Sequence, residues 1–309
     1  RIAALDMIEV EFVPYENHAF RASASMMKGM NRCQIRVSSG VLYALLNLKR
    51  QFPISLRRQL RDTLQTAFAD SKSGADTITI LGISFVLMHE LAHAALGHIE
   101  FFQSTGRRYP SQIGDTQYGR GQTDAFTKIR ELEADGTAIY ILYQMLFLFA
   151  NYIKKRNSKL STSRIPPRSK QRAMRQILLF SALLATFPFD NDRMTSKKAD
   201  YTEFSIPRMV SVIIAFVQTA KPRSVRFDRG TKTLYCKPER QGSVLRFIVK
   251  DILPVLRWCQ FAANVASLDV NMVAIDQNSS SELLVVRDII SIVMGGAALS
   301  QGALEIHAL

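Results

Sequence analysis

Apolar residues come in short runs near the start of the chain and in long helical runs afterwards. Met7 to Tyr15, Ala19 to Met26 and Gln34 to Ser38 predict short strands, and helices are expected from Gly40 and from Ser55. Nearly every residue from Ile78 to Met88 is apolar, and Leu91, Ala92, Ala94, Ala95 and Leu96 continue the run, so a helix over about 78–96 should pack inside the core. Phe101 to Gln122, rich in Gly, Arg and Gln, predicts a loop, either a flap over a site or a plain connector. Helical patterns resume at Phe126 to Ile153, Gln171 to Phe187 and Ser205 to Val217. Val225 to Cys236 predicts a hairpin turning at Asp228 to Gly230. Helices at Val244 to Ser267, with Pro254 as a kink, and at Ser281 to Leu299 complete the pattern. The expected fold class is α+β, mainly α: a small antiparallel sheet packed on two central helices, with a helical C-terminal region. Residues 1–220 are expected to form one domain, and 221–309 an accessory hairpin with helices that either extends it or stands beside it.

The core helix carries unusual chemistry. His89-Glu90-Leu91-Ala92-His93 places two imidazoles one turn apart on the same face, with a carboxylate beside the first. That spacing suits one zinc ion and a general base, Glu90. A catalytic zinc needs a third protein ligand. His98 lies about half a revolution from His89 if the helix continues, and Gly97 signals a helix end, leaving His98 near the site mouth or as a cap. The three-histidine zincin pattern requires a glycine at position 96 and a histidine at 99, where this chain has Leu96 and Ile99. Arg130-Glu131-Leu132-Glu133-Ala134-Asp135 offers better. Glu131 and Asp135 share a helix face, so Glu131 is the expected third ligand, with Asp135 accepting a hydrogen bond from a ligand histidine. Glu133 points almost opposite and reads as a solvated or salt-bridged charge.

His89-Glu-Leu-Ala-His93 followed by Glu131-x-x-Ala134-Asp135 resembles the gluzincin metallopeptidases, particularly their compact minigluzincin core. The surrounding residues, 88–98 and 130–142, are most similar to the phage-exclusion peptidase family. The resemblance implies a zincin-like packing of the sheet on an active-site helix and a glutamate-ligand helix. It implies His89, His93 and Glu131 as zinc ligands, Glu90 as catalytic base and Asp135 behind the ligands. Upstream, Asn17 to Phe20 and Cys33 to Ser38 resemble the strands that precede the active-site helix in these enzymes. The edge strand there takes up substrate by strand addition, making Ala19, Phe20, Ala22 and Ala24 candidates for peptide binding; a plain sheet edge is the alternative. Related families place a transition-state stabiliser after the glutamate helix. This chain has no histidine there, and offers Tyr201 and Arg208 as candidates to stabilise an oxyanion, or Arg208 as a surface residue opening a helix. A regulated defence protease follows from the phage-exclusion likeness alone.

Composition narrows the setting. With 309 residues, 47% of them hydrophobic, the chain can bury a large core. Cys33, Cys236 and Cys259 form no CxxC pair and cannot all be joined, which favours a reducing, cytoplasmic compartment. Asp6 and Glu9 come too early for a secretory apolar region, so no signal peptide is expected in these residues; the chain opens on Arg1 rather than Met, which leaves a removed leader open. Thr137 to Ile153 and Ile177 to Phe187 are apolar runs flanking a basic, acid-free segment, Lys154 to Arg175, as in a membrane hairpin. The first run lies at the short limit of the roughly 17 to 25 residues that span a bilayer, and it continues the Glu131 helix, so a buried central helix is expected instead. The net charge of +14 suits an anionic membrane surface or an acidic protein partner. No nucleic-acid-binding motif accompanies it, so specific nucleic-acid recognition is not expected.

The function expected is zinc-dependent endopeptidase action on a protein substrate. The alternative is a non-catalytic zinc-containing interaction protein that binds an acidic partner or anionic membrane through its basic surface.

Overall fold

Alternation in the first strands sorts a dry face from a wet one. A computed structural model describes residues 9–17, 22–26, 32–68, 74–99, 125–157, 168–186, 202–228 and 233–265. Strands β1 (Glu9–Tyr15), β2 (Ala22–Met26) and β3 (Arg32–Ser38) form one sheet in the order β1-β3-β2. Cys33 and Ile35 of β3 and Ala22 and Ala24 of β2 are buried on one face. On the other, Arg32 meets Glu9 at 3.5 Å, Gln34 donates to Glu11 at 3.2 Å and Arg36 lies over the Tyr15 ring. The expected antiparallel sheet is corrected to a mixed one: β3 runs antiparallel to β2 but parallel to β1. The reason is strand order. Because β2 occupies the far edge and turns back into the middle, β3 comes to lie beside β1 in the same direction.

Helices make up most of the rest: α1 (Ser39–Arg50), α2 (Ile54–Ala67), α3 (Gly74–Ala95), α4 (Ala125–Asn157), α5 (Arg168–Thr186) and α6 (Thr202–Ala220). Amphipathic spacing explains α2, whose Leu56, Leu60, Leu64 and Ala67 form its buried stripe. Helix α5 differs, because every residue from Ile177 to Thr186 is buried. Its polar side chains are satisfied within the helix: Ser181 Oγ donates to the Ile177 carbonyl and Thr186 Oγ1 to that of Leu183. The centre of the fold is therefore α5. Helix α4, expected to be enclosed, buries Ala134, Ala138, Ile139 and Leu142 but exposes Tyr140 and Met145. Among the described residues, one segment, Thr77–Ala95 of α3, is long and apolar enough to cross a membrane by length and composition. It carries the HExxH motif and packs against α4, α5 and β2.

The C-terminal described part joins the same core. Strands β4 (Val225–Asp228) and β5 (Thr233–Cys236) pair antiparallel. Helix α7 (Gln241–Phe247), a π turn (Ile248–Ile252) and α8 (Leu253–Val265) follow without a break. Pro254 has no N–H for the Lys250 carbonyl one turn back, and that carbonyl accepts instead from Gln176 Nε2 of α5 at 2.9 Å. Asp251, buried in the same turn, receives Arg175 at 2.7 Å and Arg172 at 3.8 Å. Two residues of the basic segment, within the helix expected from Gln171, are thus paired with an acid. One continuous apolar cluster runs from Ala22 through α5 to Cys259.

Trp258, the chain's single tryptophan, stands edge-on to Phe180 at 5.7 Å and donates to Gln59 of α2 at 2.9 Å. Its emission should be blue-shifted in the folded chain. In urea the red shift should coincide with loss of far-UV ellipticity, as one cooperative unit requires; two separated transitions would mean that α7 and α8 unfold on their own. The expected helix at 281–299, the loop at 101–122 and the hairpin turn at Arg229 and Gly230 lie outside the described residues.

Candidate metal centre

Helical periodicity puts His89 and His93 on one face of α3, and Glu131 and Asp135 on one face of α4. Packing of the two helices brings these faces together. His89 Nε2 lies 3.0 Å from His93 Nε2 and 3.2 Å from Glu131 Oε2, and His93 Nε2 lies 3.4 Å from Glu131 Oε1. Ligand atoms of a tetrahedral zinc at its usual bond lengths stand about 3.3 Å apart, so the three groups fit such an ion. Among the described residues they form a group that could hold a metal ion.

The tautomers support the same fit. His89 Nδ1 lies 2.8 Å from Asp135 Oδ1. Asp135 is fully buried and is held below the usual carboxylate range: burial opposes its charge, but Arg208 and His89 outweigh it. A carboxylate there requires the proton of His89 on Nδ1, which turns the Nε2 lone pair toward His93 and Glu131. Lone pairs facing one another at these distances repel unless a cation sits among them. The site attracts positive charge accordingly. Burial works against a charged His89, yet Asp135 and Glu131 prevail and raise it to about 9. Burial lowers His93 to about 3 against the pull of Glu131, while Glu131 itself is lowered, its burial outweighed by His93, His89 and Arg208.

Glu90 lies beside this group, 2% exposed. Burial, with repulsion from Glu131, raises it to about 7 against the attraction of His89 and Arg208. The Ala24 backbone N–H, from edge strand β2, hydrogen-bonds its carboxylate, and Glu90 Oε1 has no hydrogen-bond partner among the described residues. The small side chains of Ala22 and Ala24 allow β2 to lie close against α3. Both point inward, so only the strand's backbone edge is available to a peptide. Ala19 and Phe20 lie outside the described residues, as does Tyr201.

Arg208 is neither a surface residue nor at a helix start, which corrects that expectation. It is 4% exposed within α6, and its Nε and Nη2 donate to Asp135 at 2.8 and 2.7 Å. One turn on, Ser211 Oγ donates to the Leu132 carbonyl of α4 at 2.8 Å. Gly136 faces Ala215 across this contact, where an added Cβ would stand 3.4 Å from the Ala215 Cβ, at van der Waals distance. With Nε and Nη2 bonded to Asp135, Arg208 holds the carboxylate behind His89.

No family model, curated protein or solved structure matches this chain.

The helix end at Gly97 is as expected, but the burial of His98 against His93 and a basic groove escaped the sequence reading. Gly97 adopts φ 71°, ending α3 and turning the chain so that His98 is buried with its Nδ1 2.9 Å from His93 Nδ1. Far from the HExxH motif in sequence, a groove of about 750 Å3 beside β4 and β5 carries Arg223, Arg226, Lys237 and Arg240. Only Glu239 among its lining residues is acidic.

Proposed function

We propose that the chain is a zinc-dependent endopeptidase with a gluzincin-type, zincin-like centre. The observation that supports this best is the convergence of His89, His93 and Glu131 beside a buried Glu90 with an uncommitted oxygen. His89, His93 and Glu131 would hold zinc, which when bound supplies Lewis acidity toward a water and a scissile carbonyl. Glu90 takes the proton of the attacking water on Oε1 and, as the conjugate acid, gives a proton to the leaving amine. The Ala24 N–H orients the carboxylate while leaving Oε1 for the proton. Asp135, clamped by Arg208, fixes the tautomer and ring orientation of His89. A peptide would lie along the backbone edge of β2 by strand addition.

A zinc-organised scaffold has no use for the carboxylate of Glu90, whose burial costs stability. Profiling of new protein N-termini separates the two functions. Added to a cell extract, the zinc-loaded chain should generate new N-termini that disappear with a chelator and return with zinc. Bound zinc without any chelator-sensitive cleavage would instead favour an interaction protein, its basic surface turned to an acidic partner or an anionic membrane.

A further inference from the structure

The two histidine ligands are supported unequally in the zinc-peptidase reading, on which this inference rests. His89 has Asp135 behind it, whereas His93 has another imidazole, His98 Nδ1, at 2.9 Å. His98 in turn places Nε2 3.3 Å from Glu133 Oε2. Sequence periodicity assigns Glu133 to the far side of α4 from Glu131, and its side chain is 42% exposed. His98 bridges the two because the chain reverses at Gly97.

We propose that His98 and Glu133 form a positioning relay for His93, in which His93 Nδ1–H donates to His98 Nδ1 and His98 Nε2–H donates to Glu133. One of the two facing Nδ1 atoms must carry a hydrogen, and the surroundings decide which. If His98 were the donor, its bare Nε2 would face the Glu133 carboxylate, and His93 would carry its hydrogen on Nε2, directed into the donor group. The first contact would be unfavourable, and the second would turn the hydrogen to His89 Nε2 and Glu131 and leave His93 without a lone pair for zinc. The opposite assignment satisfies all three residues and exposes the His93 Nε2 lone pair to a metal. A neutral imidazole can play both parts at once, accepting on Nδ1 and donating from Nε2. His98 and Glu133 are positioning residues: they act on the metal through His93 and touch no substrate.

The test is zinc affinity, measured on the purified chain by competition with a chromophoric chelator, with far-UV ellipticity as the folding control. His98→Leu removes the acceptor and should weaken zinc binding by about 10- to 100-fold, the usual cost of losing a group behind a ligand histidine. His98→Asn carries a carbonyl oxygen where Nδ1 stood and should restore affinity to within about threefold. Glu133→Met, altered at a partly exposed position, should lose about three- to tenfold. In imidazole 1H–15N spectra of the zinc-loaded chain, the His93 Nδ1 proton should move upfield in His98→Leu. Unchanged affinity and an unmoved proton in a folded His98→Leu overturn the relay. Should His98→Leu fail to fold, parental affinity in Glu133→Met overturns it equally. A parental chain that binds no zinc overturns the peptidase reading beneath it, whereas zinc binding without cleavage leaves the relay standing and removes only the activity.

Discussion

Glu90→Gln is expected to keep zinc at parental affinity while losing about 10²- to 10⁴-fold in hydrolysis, the usual contribution of a positioned general base. The substitution is nearly isosteric. A glutamine carbonyl can still accept the Ala24 N–H, and His89, His93 and Glu131 are untouched. What disappears is the ability to take and return a proton. The measurement is a turnover rate on a peptide identified from N-terminal profiling, with zinc content determined on the same sample. Cleavage at the parental rate would show that Glu90 is not the base. Zinc loss along with activity would show that the carboxylate serves to assemble the site.

Arg208→Met should destabilise the chain by about 3–5 kcal/mol, because it strips the charged fork from a carboxylate that has no access to water and leaves it only His89. Asp135 is 0% exposed and both its oxygens are bonded by Arg208. Lysine is a poor substitute, having no planar fork to match them. The double variant Asp135→Asn with Arg208→Met should lose less than the sum of the two single changes, since no charge is left stranded. Urea unfolding of the four proteins measures both effects. An Arg208→Met midpoint close to the parental one would mean that water reaches Asp135.

The parts of the site that were legible in the sequence are those that depend on a single helix. The four-residue spacing of His89 to His93 and of Glu131 to Asp135 is a statement about helical periodicity, and the structure brings these two pairs together. Contacts between distant elements left no local trace. Arg208 lies 73 positions from Asp135 and has no periodic relation to it. Glu133 reads as a solvated or salt-bridged charge because it faces away from Glu131, and periodicity does not name its partner, His98 beyond the end of α3 at 3.3 Å. Gly97 signalled a helix end without indicating which way the chain would turn. Arg172 and Arg175 stand in a basic segment with no acid of its own, and their acidic partner, Asp251, lies in the π turn. Strand order was hidden for the same reason, since alternation specifies faces but not neighbours.

The π turn between α7 and α8 behaves as a one-residue insertion held in place by Pro254 and Gln176. Closing Ile248–Ile252 into regular α-helix without shortening it would rotate everything downstream by about 100°, the turn of one residue. Trp258 would swing off Phe180, and Cys259 would leave the core. Point changes at exposed Val249 and Lys250 should be tolerated, while the wide turn itself keeps α8 in phase with the core.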